Sequence, residues 1–393
     1  MRRRIYLDWN ATAPLRAEAR AAMLAALDIG GNASSVHAEG RAARALIETA
    51  RGQVATLAGA KPSQVVFTSG ATEANVLALG PNLRPAGRSA EKRPVRLFVS
   101  AIEHPSVLEG NRFAAGDVEV LPVTAGGVVD IAHLARRLRA AQAAGVAPLI
   151  SVMAVNNETG VVQPVEEAAA LTREAGGFIH VDAVQAAGRV ALRFDALGLD
   201  LLTLSSHKLG GPQGAGALIC SDRVDLGGAL IKGGRQERGR RAGTENVAAI
   251  MGFGAAAEAA SQPDESDQAR LTALRHRLEA GLYEAAADTV IFGAEQPRVA
   301  NTVLFALAGV KAETALIALD LEGVAVSSGA ACSSGKVAPS HVLSAMGVPP
   351  DIASGAIRVS FGRDTGAEDI DGLLQAWRKH VEALPTRQRG IAA

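Results

Sequence analysis

Short apolar runs alternate with longer amphipathic stretches along most of the chain. Val65-Val66-Phe67, Val95 to Val99, Val118 to Val123, Leu149 to Val155, Phe178 to Val181, Leu201 to Leu204 and Gly216 to Cys220 are too short for helices. Their apolar and β-branched residues predict buried strands. Helical patterns lie between and before them. One follows Pro14 through Met23, Leu24 and Leu27 to Gly30-Gly31; a second runs from about His37 to Ala58 and stops at Gly59. Others begin near Ala74, fill 130 to 144, and end near Ala260. Alternation of this kind predicts a mainly parallel sheet with helices on both sides. In such sheets ligands bind at the carboxyl ends of the strands. The run Leu201-Leu202-Thr203-Leu204 breaks there into Ser205-Ser206-His207-Lys208.

The pattern changes after the polar hinge Ser261-Gln262-Pro263-Asp264-Glu265-Ser266-Asp267. A long helix to about Ala287, strands at Val303 to Leu307 and Ile357 to Phe361, and helices between and after them predict a smaller α/β unit. The length of 393 residues fits two domains. We expect a large domain over 14–260 and a small one assembled from 1–13 and 261–393.

Lys+Arg and Asp+Glu balance at 40 each, so no overall field favours nucleic acid or an anionic membrane. The Gly/Arg-rich segment from Gly233 to Thr244 has no interleaved aromatic for base stacking, which argues for an ordered anion-facing loop. No run approaches the ~20 apolar residues of a membrane span, and Met1-Arg2-Arg3-Arg4 leads into no signal-like apolar stretch. Only Cys220 and Cys332 occur, far apart and outside any metal-type spacing. A reducing, cytoplasmic setting is therefore expected, with no intrinsic metal site and with Cys220 as core packing.

Lys208, Asp182, His104 and the Gly70-Ala71-Thr72 turn each fall just past a predicted strand of one sheet, so they can meet. Thr68-Ser69-Gly70-Ala71-Thr72-Glu73 joins a strand to a helix start, where unpaired N–H groups and the helix dipole favour an anion. Pyridoxal phosphate chemistry asks for a lysine amine to carry the aldehyde carbon, an aspartate to keep the pyridine nitrogen protonated, and donors for the phosphate. All three are present, and His104 can supply a face over the ring. Ser205-Ser206-His207-Lys208 also matches the S-x-x-K of β-lactamases, but their S-D-N and K-T-G partners are absent. A second centre is Ser327-Ser328-Gly329-Ala330-Ala331-Cys332-Ser333-Ser334-Gly335-Lys336, small residues around one thiol in what reads as a mobile loop. A thiol there, near Lys336 and His341, would be more reactive than a core one. A Cys-His hydrolase would also use a thiol, without need of Asp182 or Lys208.

These motifs, with Glu103-His104, Val155-Asn156-Asn157-Glu158, His180-Val181-Asp182-Ala183-Val184-Gln185, Gly243-Thr244 and Arg358-Val359-Ser360-Phe361-Gly362-Arg363, resemble the cysteine desulfurases of the NifS/IscS type in the class V aminotransferase group. The resemblance covers nearly the whole chain. It implies the aspartate aminotransferase-like fold of pyridoxal-phosphate-dependent transferases, with a large mainly parallel-sheet domain and a smaller α/β domain carrying the Cys332 loop. By the same resemblance Lys208 bears the cofactor, His104 stacks on its ring, Asp182 binds the pyridine nitrogen and Gln185 the phenolate oxygen. Ala71, Thr72, Ser205 and His207 hold the phosphate, with Thr244 reaching in from a second subunit of a homodimer. Asn157 lies against cofactor and substrate, and Arg358 with Asn157 holds the substrate carboxylate.

The implied reaction takes sulfur from L-cysteine: Lys208 removes the α-proton, the Cys332 thiolate attacks the substrate sulfur, and alanine leaves. The persulfide on Cys332 passes to an acceptor or an iron-sulfur scaffold protein, where Cys332 could transiently ligate a cluster. The spacing from Cys332 to Pro339-Ser340-His341-Val342-Leu343 resembles the long-loop branch. Pro105 after His104, Asn32-Ala33-Ser34-Ser35 without a proline after its Asn, Ser205-Ser206 in place of Ser-Gly, and a short tail after Leu384 depart from the family pattern without removing a catalytic group. Alternatives on the same residues are a selenocysteine lyase, another β-eliminating or transaminating enzyme, and an acceptor-dependent sulfur carrier.

Overall fold

The computed structural model of the protein describes residues 3–87, 93–261, 265–329 and 340–383. Its strands in chain order are β1 (Ile5–Tyr6), β2 (Val65–Thr68), β3 (Arg84–Pro85), β4 (Val95–Ser100), β5 (Val118–Leu121), β6 (Ala147–Met153), β7 (Phe178–Asp182) and β8 (Leu201–Ser205). They continue as β9 (Gly216–Cys220), β10 (Val224–Asp225), β11 (Val290–Ile291), β12 (Thr302–Ala306), β13 (Val324–Ala325), β14 (Ser327–Ser328) and β15 (Ile357–Ser360).

Seven strands form one sheet in the order β2-β9-β8-β7-β6-β4-β5. β4 to β8 pair in parallel, as the apolar runs predict, whereas β9 runs antiparallel to both β2 and β8. The reversal of β9 matters for the site. Gly216 opens that strand opposite both Thr68, where β2 ends, and Ser205, where β8 ends. A Cβ on Gly216 would stand 2.6 Å from the Gly70 carbonyl carbon and 2.7 Å from its Cα. Only glycine lets the turn after β2 close down beside the end of β8. Likewise Met153, Asp182 and Thr203 stand in register across β6, β7 and β8, which aligns the carboxyl ends that carry chemistry.

Helices form where the pattern places them, with shifts at their starts. The helix Ala38–Ala58 begins after His37, whose ring accepts the Gly40 N–H, and ends at Gly59 with φ 66°. The helix Ala71–Ala78 starts three residues earlier than the expected Ala74, directly after Gly70. The first helix is Ala17–Ile29 and leaves Pro14 ahead of it.

Residues past 265 build a second unit around a sheet ordered β11-β12-β15-β14, all antiparallel. Its core includes Phe305 packed edge-on against Trp377 at 5.1 Å, together with Leu7, Trp9 and Ala13 from the beginning of the chain. β1 pairs with β13, and Asp8 bridges to Ser360, so the N-terminal strap is stitched into this unit. The expectation that a loop begins at Ser327 is corrected here: Ser327–Ser328 is an edge strand whose partner is β15, and its hydroxyl side chains hid the pairing. Lys336 and Cys332 lie outside the described residues. Among the described residues no helix is long and apolar enough to cross a membrane.

Candidate active site

A cavity of about 770 Å³ opens at the carboxyl ends of β2, β6, β7 and β8. Lys208, His207 and Ser205 reach it from the end of β8, Asp182 and Gln185 from the end of β7, and His104, Asn157 and Arg358 from surrounding loops and β15. Ala71 and Thr72 line it from the first turn of the helix Ala71–Ala78. The structure thus brings together every expected site residue in the described part of the chain except Thr244. Thr244 is exposed and lines an adjoining cavity of about 230 Å³, which shares Ser69, Gly214 and Ala215 with the larger one. Cys332 lies outside the described residues.

Local structure explains each placement. β8 runs into a 3₁₀ turn over Ser206–Lys208, which directs the lysine inward. Its ammonium donates to the carbonyl of Asn10 and, at 2.9 Å, to that of Ala11. Burial first, and then the positive charges of Arg358 and Arg189, lower Lys208 to a pKa of about 8. His207, whose Nδ1 lies 3.0 Å from the Thr12 hydroxyl, is lowered to about 4 by burial and by Lys208, so it meets a ligand as a neutral imidazole.

The Asp182 carboxylate accepts the Val184 N–H at 3.0 Å and the Asn75 amide at 2.9 Å. Gln185 donates through Nε2 to the Asn10 carbonyl at 3.0 Å, and its Oε1 accepts from Arg189 at 2.6 Å. Arg189 therefore determines which end of the Gln185 amide faces away from it. Glu103, fully buried beneath His104, has its carboxyl pushed well above the ordinary range by burial and by Asp182. Arg358 spreads its guanidinium between Asp8 at 2.9 Å and the Asn157 carbonyl at 3.0 Å. Among the described residues its buried Nε has no partner.

At the helix start the first ladder bond runs from the Ala74 N–H to the Gly70 carbonyl, which leaves the N–H groups of Ala71, Thr72 and Glu73 ahead of it. No side chain of the described residues caps that end. Glu73, which also lines the cavity, pairs with Arg241 at 3.0 Å while accepting the Ser69 N–H at 2.8 Å. An anion cradle, a buried amine of lowered proton affinity and a facing carboxylate converge on one space. The residues present fit pyridoxal 5′-phosphate.

Asn10, Thr12, Asn75 and Ser106 escaped the sequence reading. Asn10 and Thr12 belong to an irregular strap with no period, and Asn75 and Ser106 sit inside helical turns where polar residues are unremarkable. The order of motifs offered one weak cue: Tyr6-Leu7-Asp8-Trp9-Asn10-Ala11-Thr12 is an ordered-looking segment too short to bury a face of its own.

The family described as "Aminotransferase class-V" matches residues 5–373. A "Cysteine desulfurase IscS" from Dictyoglomus turgidum is 40% identical over 390 residues, covering 98% of this chain and 96% of that protein. An "IscS-like cysteine desulfurase" from Mycobacterium tuberculosis is 39% identical, with 94% of each chain covered. The crystal structure of a NifS-like protein from Rickettsia africae superposes with a TM-score of 0.86 at 33% identity, covering 97% of this chain and 100% of that one. The chain belongs to the class-V aminotransferase family, whose enzymes work with pyridoxal phosphate. Within that family it is similar along its whole length to the cysteine desulfurases, and it shares their fold and their enzymatic class.

Proposed function

We propose that the chain removes sulfur from free L-cysteine, leaves it on Cys332 as a persulfide and releases L-alanine. The observation that carries this reading is the meeting of Lys208, Asp182, His104, Arg358 and the Ala71-Thr72 helix start around one cavity. When bound, pyridoxal phosphate supplies an aldehyde carbon for amines and a ring that accepts the electrons left behind by a departing α-proton.

The protein's own residues do the rest. Thr72, Ser205 and His207, with the free N–H groups at Ala71 and Thr72, hold the phosphate, joined by Thr244 of a second subunit. Asp182 would keep the proton on the ring nitrogen, Gln185 would meet the phenolate oxygen and His104 would lie against the ring. Arg358 and Asn157 orient the substrate carboxylate. Lys208, with a pKa of about 8, has free base available near neutral pH to take the α-proton. The Cys332 thiolate then attacks the substrate sulfur. A sulfur–sulfur bond forms, the carbon–sulfur bond breaks, its electrons return to the carbon skeleton, and proton uptake completes alanine.

The persulfide passes to an acceptor or iron-sulfur scaffold protein, and the active form is a homodimer in a reducing cytoplasm. The buried free thiol of Cys220, raised to about 11 by burial, fits that setting. We also propose the division into 14–260 and 1–13 with 261–393, supported by the separate core around Phe305 and Trp377 that enlists Leu7 and Trp9.

Two variants test the reading. Purified protein should be yellow, and Lys208→Ala should lose the ordinary chromophore. Cys332→Ala should keep the colour and lose sulfide release from cysteine by more than about a hundredfold under limiting reductant, as expected for loss of a nucleophile. Unchanged sulfide release from Cys332→Ala would remove Cys332 from the mechanism. A colourless preparation that pyridoxal phosphate does not restore would overturn the cofactor assignment.

A further inference from the structure

We infer that Asn75 and Ser106 are positioning residues that fix the proton of His104 on Nε2, through a one-way hydrogen-bond chain that begins at Asp182. The inference rests on the proposed placing of Asp182 and His104 on either side of the site, and it deepens that reading by assigning roles to two residues beneath it.

The chain can be followed by proton inventory alone. Asp182 as a carboxylate only accepts, so the Asn75 atom 2.9 Å from its Oδ2 must be the amide nitrogen. Asn75 is fully buried, and the same Nδ2 lies 2.9 Å from the Ser106 hydroxyl oxygen. Ser106 therefore accepts from Asn75 and has its own proton free to donate. That hydroxyl is 2.8 Å from His104 Nδ1, and the Ser106 backbone N–H, which can only donate, points at the same nitrogen from 3.1 Å. Nδ1 receives two donors and has no room for a proton, so a neutral His104 carries its proton on Nε2.

The orientation of Asn75 bears the cost of this arrangement. Its Oδ1 is buried without a partner among the described residues. Turning the amide over would let the Ser106 hydroxyl donate to that oxygen, but it would also set the oxygen 2.9 Å from the Asp182 carboxylate, acceptor against acceptor. The polarity of the chain is thus imposed at Asp182 and delivered at His104. Burial lowers the His104 pKa, opposed by Asp182 and assisted by Lys208 and His341. Among the described residues, His341, which bonds the Glu103 carbonyl at 2.8 Å, and Glu103 itself are the other titratable groups next to this position. None of these is altered by changing Ser106, so the contribution of the chain can be read separately.

Histidine-selective ¹⁵N NMR tests the inference on the full-length protein, without and with pyridoxal phosphate, with the His104 signals assigned by their loss in His104→Gln. The wild type should show an unprotonated Nδ1 and a protonated Nε2 in both states. Ser106→Ala, which keeps the backbone donor to Nδ1 but loses the hydroxyl, should shift the Nδ1 signal and raise the His104 pKa by about half to one unit, the worth of one hydrogen bond. Ser106→Thr, which keeps the hydroxyl, should restore the wild-type pattern, and Asn75→Ala should resemble Ser106→Ala. A wild-type proton on Nδ1 would overturn the inference, as would a Ser106→Ala spectrum and titration identical to the wild type. Because the tautomer is read without cofactor or turnover, failure of the proposed activity leaves a different signature: a correct tautomer in a protein that neither binds pyridoxal phosphate nor releases sulfur.

Discussion

What surrounds Lys208 suits it to the chemistry proposed for it. An exposed lysine titrates near 10.4, whereas burial and the charges of Arg358 and Arg189 bring this one to about 8. Only the neutral amine attacks an aldehyde, so uptake of pyridoxal phosphate by the apoprotein should accelerate as pH rises through about 8 and level off above it. Stopped-flow absorbance across pH 6.5 to 10 would check this, and a rate still climbing at pH 10 would contradict it. At this scale the sequence was eloquent about Lys208, Asp182 and His104, since each follows a strand long enough to recognise. It was silent about Asn75, Ser106 and Asp8, whose importance comes from what they touch.

The Gly233-to-Thr244 segment shows the same division among elements. Composition marked it as unusual, and its arginines were expected to face an anion. The structure shows protein acceptors for two of the four: Arg241 pairs with Glu73, and Arg238 donates to the Ser63 carbonyl, while a buried Arg240 nitrogen, Nη1, has no partner among the described residues. Within the segment Glu237 and Arg238 hold left-handed φ values of 47° and 58°, conformations that side chains with a Cβ rarely adopt. Glu237 is kept there by Arg51, which meets both its carboxylate oxygens at 2.8 Å, and by the Phe67 N–H at 2.8 Å. Arg51 in turn lies over the Phe67 ring at 4.9 Å. This buried pair anchors the segment that carries Thr244 to strand β2. Glu237→Ala would leave the buried Arg51 with the partly exposed Glu48 as its carboxylate partner and should cost about 3 kcal/mol in urea unfolding of the apoprotein. Arg51→Ala with Glu237→Ala should cost clearly less than the sum of the single changes. Additive losses would show that the two residues act independently. The strands of the main sheet were legible because both faces are buried and apolar. The two-residue strands β1, β13 and β14 were not, because two residues carry no period.

For the whole molecule, the position of Thr244 decides how the site is completed. In a single chain it stands outside the cavity that Thr72 and Lys208 share. If it serves a partner's site, mixing Lys208→Ala and Thr244→Ala subunits should recover activity. Each mixed dimer would then have one wholly intact site and one with both lesions. Refolded equimolar mixtures should show several-fold more sulfide release than either parent. No gain on mixing would place Thr244 in its own subunit's site.

Local pattern alone was enough for the α/β class and for which residues stand at the strand ends, because hydrophobic period and strand-end position are properties of neighbours in sequence. The reversed strand β9, the seat of Gly216 behind the Gly70 turn, the strap of residues 8–12 against Lys208 and the polar chain from Asp182 to His104 were decided only by the tertiary structure. Each depends on contacts between residues about 10 to 200 positions apart, and no local period records which distant backbone or hydroxyl will be there to accept or donate.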